Sequence, residues 1–282
     1  MASTLITLED IARQVCAQHS LEFVKSVGSG AFKESFLVRK SHEQLALKVL
    51  NLSGVSDRTE REIEAMKKCA HPNIVKLLDF GTISESNSTY TFFIEQYLGG
   101  GTLSDLISGD NTIGLNEIRL IGKILASAIE HLAKNGLVHR DIKPENIMFM
   151  NDDINPILVD LGLVRHLSRS SLTKDWAMQG PGTPFFASPE QLNNDKHLID
   201  WRSDQFSLGV VIAFCITKQH PYYRLGDNDN IITERVAKRE DSSDIFIESM
   251  KQVNMEPIIK MVEPWPVKRF TEPSEIQEIW NI

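Results

Sequence analysis

The sequence predicts an α+β chain in two lobes, and three observations predict it. Apolar and aromatic runs of strand length crowd the first 98 residues, most clearly at 44–50, 74–80 and 90–97. Long segments of helical spacing dominate afterwards, at 103–107, 115–135 and 203–217. Between the two regimes stand Gly99, Gly100 and Gly101, a run that suits a hinge better than a strand or a helix. A cleft between two such lobes is a common place for a ligand.

The elements follow in order. Residues 4–20 place Leu5, Leu8, Ile11, Ala12 and Val15 at helical spacing, so 1–20 is expected as a helical N-terminal extension. A glycine-rich turn precedes the strand at 44–50. Residues 57–69 read as a charged helix that buries Ile63, Ala65 and Met66, ended by His71-Pro72 because proline cannot continue it. The small lobe is expected over 21–98, the hinge at about 96–101 and the large helical lobe over 102–282.

Composition narrows the class. The chain has 282 residues, 41% apolar and 24% charged, enough to bury a sizeable core. A net charge of −8 argues against a general nucleic-acid binder. Cys16, Cys69 and Cys215 are too scattered for a metal site, and an odd, sparse set suits a reducing, cytoplasmic setting. The first ten residues lack the pattern of a secretory signal, and the longest apolar run, 208–216, is too short to span a bilayer, so no membrane partner is expected.

Chemistry concentrates at a few points. Gly28-Ser29-Gly30-Ala31-Phe32 is either a backbone turn able to approach phosphate oxygens or a plain surface turn between strands. No Gly-Lys-Ser/Thr follows, which excludes a Walker-type loop. Lys48, after Ala46 and Leu47 in an apolar strand, needs a counter-charge or ligand unless it reaches water. Glu62 offers one, and is otherwise a solvated helix residue. His139-Arg140-Asp141-Ile142-Lys143-Pro144-Glu145-Asn146 combines a proton acceptor, a cation and a neutral metal ligand within six positions. Asp160, in Asp160-Leu161-Gly162, adds a carboxylate at a strand end where it could meet magnesium.

Taken in order, these segments, with His71-Pro72-Asn73 and Ser188-Pro189-Glu190, resemble the eukaryotic-type serine/threonine protein kinases from about residue 21 onward. The resemblance implies a two-lobed protein kinase fold, with a small antiparallel sheet lobe carrying one key helix and a larger helical lobe. It implies ATP and Mg2+ (Mn2+ as a second choice) as cofactors, and a protein with a Ser or Thr acceptor as substrate. Lys48 would hold the α- and β-phosphates and pair with Glu62. Asp141 would accept the hydroxyl proton, Lys143 would neutralise the transferred phosphoryl, Asn146 and Asp160 would hold the metal, and Thr183 would sit against Asp141 and Lys143. Gly28 to Phe32, Ala46, Gln96, Leu98 and Met148 would surround the nucleotide. Asp204 would brace the catalytic loop, and Arg269 would pair with Glu190. Ser168, Ser170, Ser171 and Thr173, in the expected activation loop, are candidate autophosphorylation sites.

The chain departs from the family pattern at Lys33 (for glycine), Ser35 (for valine) and Leu161 (for phenylalanine). Either Glu95 or Ile94 falls at the back of the adenine pocket, depending on register. An acidic residue there costs desolvation unless it is paired, with Lys48 as one partner. The alternative function is a pseudokinase scaffold, which the retained charges disfavour.

Overall fold

Five strands form one antiparallel sheet: β1 (Glu22–Ser29), β2 (Lys33–Lys40), β3 (Glu43–Leu50), β4 (Leu77–Glu85) and β5 (Ser88–Gln96), in the order β1-β2-β3-β5-β4. The coordinates are a computed structural model that describes residues 6–29, 33–51, 63, 67, 69–85, 88–109, 113–150, 154–160 and 184–280. The described residues within Met1–Ala70 and Val75–Gly99 make one unit, and those within His71–Ile74, Gly100–Gly162 and Pro181–Ile282 make another.

In the first unit the strand period of two sorts the side chains onto two faces. Leu45, Leu47 and Val49 of β3 share a buried cluster with Phe36 and Val38 of β2 and with Tyr90, Phe92 and Ile94 of β5. Helix α1 (Leu8–His19) covers that face with Ile11, Ala12, Val15 and Cys16. A capping box fixes its start: Thr7 Oγ1 accepts from the Asp10 amide at 3.1 Å, and Asp10 Oδ2 accepts from the Thr7 amide at 2.9 Å. Ser20, in the left-handed region at φ 55°, ends it. The Arg13 guanidinium lies 4.0 Å from the centre of the Phe23 ring, tying the helix to β1. Ala46, Lys48, Phe93 and Glu95 therefore belong to the opposite face.

The second unit is helical around a small hairpin. Helices α2 (Leu103–Ser108) and α3 (Leu115–Lys134) precede β6 (Ile147–Phe149) and β7 (Pro156–Leu158), which pair antiparallel. Then come α4 (Pro189–Leu192), α5 (Trp201–Thr217), α6 (Asp229–Ala237), α7 (Asp244–Gln252), α8 (Pro257–Met261) and α9 (Glu275–Glu278). Helix α5 is buried on nearly every side, which its all-round apolar sequence requires. Gly209 lets it pack closely: an added Cβ would lie 2.7 Å from Val262 Cγ1. Among the described residues no helix is long and apolar enough to cross a membrane.

One sequence expectation shifts, and two strands went unpredicted. The strand expected at 74–80 begins at Leu77, while Ile74 bridges to Leu158 in the second unit. The cause is Asn73, whose amide donates to the Pro156 carbonyl at 2.8 Å and to Asn155 Oδ1 at 2.7 Å. Strands β1 and β2 escaped individual prediction because β1 is largely exposed and mixes charge with apolar residues without clean alternation. Of the helix expected at 57–69, only Ile63, Lys67 and Cys69 lie among the described residues; the first two are helical, and Ile63 is fully buried.

Candidate active site

Of the nucleotide-side candidates of the first unit, Ala46 and Lys48 lie on the sheet face away from α1. Strand register sets Ser35 of β2, Lys48 of β3 and Phe93 of β5 in one row. The next row holds Leu37, Ala46 and Glu95. Glu95 thus stands diagonally from Lys48, and the two side chains form a buried ion pair. Ile94 points into the cluster under α1. The register left open by the sequence is thereby decided: the acidic residue shares the face of Ala46 and Lys48. Both charges are almost out of solvent, at 9% exposure for Lys48 and 4% for Glu95. Burial on that scale is tolerable because each compensates the other.

Gly28 pairs with Ser35 and Ser29 with Glu34. Among the described residues, a Cβ on Gly28 would meet only Ser35 Cβ, at 4.0 Å. The Gln96 amide donates to the Lys76 carbonyl at 3.0 Å and closes the end of β5, and Leu98 is buried two residues on. Gly30, Ala31, Phe32, Glu62, Leu161, Thr183 and the four candidate phosphosites lie outside the described residues.

The second unit gathers the remaining candidates around one loop. Asp141 Oδ2 accepts from Asn146 Nδ2 at 2.8 Å and lies 3.2 Å from Lys143 Nζ. The same Nδ2 donates to the Asp141 carbonyl at 2.8 Å. A 3-10 turn, Pro144–Asn146, makes this return possible by folding Asn146 back over the loop. The Val159 amide then donates to the Asn146 carbonyl at 3.0 Å, which sets Asp160, one residue on, beside Asn146. Met148 lies in β6 opposite Ile157 and bridges to Thr102.

Behind the loop stands Asp204, in the first turn of α5. Its two oxygens accept from the His139 and Arg140 amides, each at 2.7 Å. Burial pushes its carboxyl up to about 7, against the lowering effect of those two donors. His139 is fully buried: Nδ1 accepts from the Asp141 amide at 3.2 Å, and Nε2 is 3.0 Å from the Val159 carbonyl. That pattern assigns the proton to Nε2, and burial holds the ring below its ordinary pKa, hence neutral. Gln191, which sequence reading missed, donates to the Arg140 carbonyl at 2.8 Å. No local signal marks it, since its role exists only once α4 meets the loop.

The loop is held under strain. Arg140 and Asp160 both occupy the left-handed region, at φ 68° and 59°. For a non-glycine residue this costs on the order of 1 kcal/mol or more, sustained only where surrounding bonds over-determine the backbone. The expected supporting pair is also present: Arg269 grips Glu190 through two bonds of 2.8 and 3.0 Å, and Ser203 Oγ donates to Glu190 at 2.7 Å.

A hard divalent cation fits the donor set. Among the described residues no three His, Cys, Asp or Glu side chains cluster to hold an ion by themselves. Asn146 and Asp160 offer one amide oxygen and one carboxylate, the sparse hard-oxygen set that suits an ion carrying phosphate and water as its other ligands.

The chain is similar to known proteins along most of its length. The model of the protein kinase domain family matches residues 21–281. A probable serine/threonine-protein kinase of Dictyostelium discoideum, MARK-C, is 31% identical over 269 residues, covering 93% of this chain and 33% of that protein. Calcium-dependent protein kinase 4 of Plasmodium falciparum is 31% identical over 223 residues, covering 76% of this chain and 40% of that protein. A probable serine/threonine-protein kinase of Clostridium perfringens is 27% identical, covering 90% of this chain and 37% of that protein. The chain belongs to the eukaryotic-type serine/threonine protein kinase family. It spans between a third and two fifths of the length of these relatives.

Proposed function

We propose that this chain transfers the γ-phosphoryl group of ATP to serine or threonine hydroxyls of protein substrates. The observation that carries the reading is the Asp141 carboxylate, pinned through Oδ2 by Asn146 and Lys143 on a loop braced by Asp204. A carboxylate fixed on one side is oriented to receive a hydroxyl proton, and transfer of a phosphoryl group asks mainly for positioning and charge stabilisation. Lys143 neutralises charge on the transferring group, and Lys48 holds the α- and β-phosphates. Asn146 Oδ1 is the atom offered to the metal, because Nδ2 is committed to Asp141. Asn146 and Asp160 would hold Mg2+, with Mn2+ as the second choice; when bound, the ion supplies positive charge against the phosphates.

Ala46, Gln96, Leu98, Met148 and residues 28–32 are assigned to nucleotide contact. Glu62 is assigned to Lys48, and Thr183 to Asp141 and Lys143. Autophosphorylation is assigned to one or more of Ser168, Ser170, Ser171 and Thr173, so the chain would be a phosphoprotein. The cysteine usage supports a cytoplasmic location, and the acidic charge supports protein over nucleic acid as partner.

The test is transfer from labelled Mg-ATP to the protein itself and to a generic basic protein. Wild type is expected to label both, and Asp141→Ala to lose about 10²–10⁴-fold in rate. Equal labelling by the two proteins would overturn the reading. Peptide mass spectrometry after incubation checks the four loop sites; an unmodified loop in active enzyme removes the autophosphorylation claim.

A further inference from the structure

Lys48 lies within β3 and Glu95 one residue before the end of β5, both interior strands of the sheet, and both are nearly buried. The carboxylate reaches the ammonium diagonally across β3 and β5, so two backbones already fixed in the sheet set the geometry. Phe93, directly opposite Lys48, and Ala46, directly opposite Glu95, are the residues each charge faces across the ladder. A lysine side chain has four rotatable bonds, and ordering it is costly in entropy. In a half-apolar setting an ammonium without compensation is also driven toward solvent. A carboxylate on a rigid strand removes both difficulties before any nucleotide arrives.

We infer that Glu95 is a positioning residue for nucleotide binding, pre-setting the Lys48 ammonium to receive phosphate oxygens. Its effect on nucleotide passes through Lys48 and not through contact with the base. The inference rests on the reading of Lys48 as the phosphate-holding residue, and it adds a strand-borne carboxylate to that site.

The experiment compares binding of Mg-ADP and of adenosine, which lacks phosphates, to the full chain. Four proteins are needed: wild type, Glu95→Gln, Lys48→Met and the double variant. Glu95→Gln keeps the size and polarity of the side chain and removes its charge. It is expected to weaken Mg-ADP roughly tenfold, while adenosine changes by less than about twofold. In the Lys48→Met background the same substitution is expected to have no further effect on Mg-ADP. Parallel loss of adenosine binding would overturn the inference, because Glu95 would then only shape or stabilise the pocket. Additive losses in the double variant would overturn it as well. If Lys48→Met weakens Mg-ADP and Glu95→Gln does not, the inference alone falls. If Lys48→Met itself leaves Mg-ADP unchanged, the phosphate-holding reading falls, and the inference with it.

Discussion

Asp204 shows how much one buried carboxylate can organise. Both oxygens are spent on backbone amides of the loop that carries Asp141, and burial pushes its pKa from 3.8 up to about 7. A folded value above the unfolded one means that the folded state keeps a proton the unfolded chain has already lost. Stability from this group is therefore fully present below about pH 4 and declines as pH rises to about 7. Asp204→Asn is expected to remove that slope, read as the difference between wild-type and variant urea melts from pH 4 to 8. It should also lower activity, since an amide can accept only through one atom and turns a donor toward the second amide. Glu190 behaves oppositely. Burial alone would raise it, but Arg269 and Ser203 hold it below its ordinary value. Arg269→Ala leaves that carboxylate buried without its partner and is expected to cost about 3–5 kcal/mol by chemical denaturation, whereas Glu190→Leu with Arg269→Met should cost far less. Lys33, at the start of β2 facing Leu50, stands where the family has glycine. Lys33→Gly is expected to change the KM for ATP by less than about tenfold, equivalent to ~1.4 kcal/mol; complete loss of activity would contradict this.

At the scale of elements, close packing overrides local propensity. Gly122 sits inside α3, where alanine would ordinarily favour the helix by about 1 kcal/mol. A Cβ there would fall 2.3 Å from the Trp280 ring. Trp280 is bulky and buried at 6% exposure, so it cannot yield cheaply. Gly122→Ala is therefore expected to destabilise the protein by about 1–3 kcal/mol, measured as a fall in the midpoint of urea unfolding. Strands β3 and β5 and helices α3 and α5 were legible because each is long and strongly apolar. The start of β4 was not, since the clamp on Asn73 that withdraws Ile74 from the sheet comes from Asn155 and Pro156, more than eighty residues later.

For the whole chain, the family match begins at residue 21, yet α1 lies before it and covers one face of the sheet. Ile11 and Val15 are fully buried against Phe36, Val38 and the alternate residues of β3 and β5. Removing residues 1–20 would return that apolar face to water. The truncated chain is expected to lose roughly 3–6 kcal/mol, from burial of about two large aliphatic side chains with smaller neighbours, and to bind a hydrophobic dye that the full chain does not. Unchanged unfolding midpoints in the two proteins would show that α1 contributes nothing to the sheet.

By itself the sequence determined the α+β class, the family and the compact constellation of Asp141, Lys143 and Asn146, because those residues lie within six positions and local chain geometry brings them together. It also bounded the uncertainty at Glu95 to two registers. Only the tertiary structure decided between them, because which face a strand residue occupies depends on its pairing with β3 and β4, and a slip of one residue exchanges every side chain between faces. Tertiary structure likewise decided that Lys48 meets a carboxylate from β5, 47 positions away, and that Gln191 joins the loop that carries Asp141, 51 positions from Arg140. Contacts at that separation leave no periodic trace in the chain; they exist only when the sheet and helices have closed.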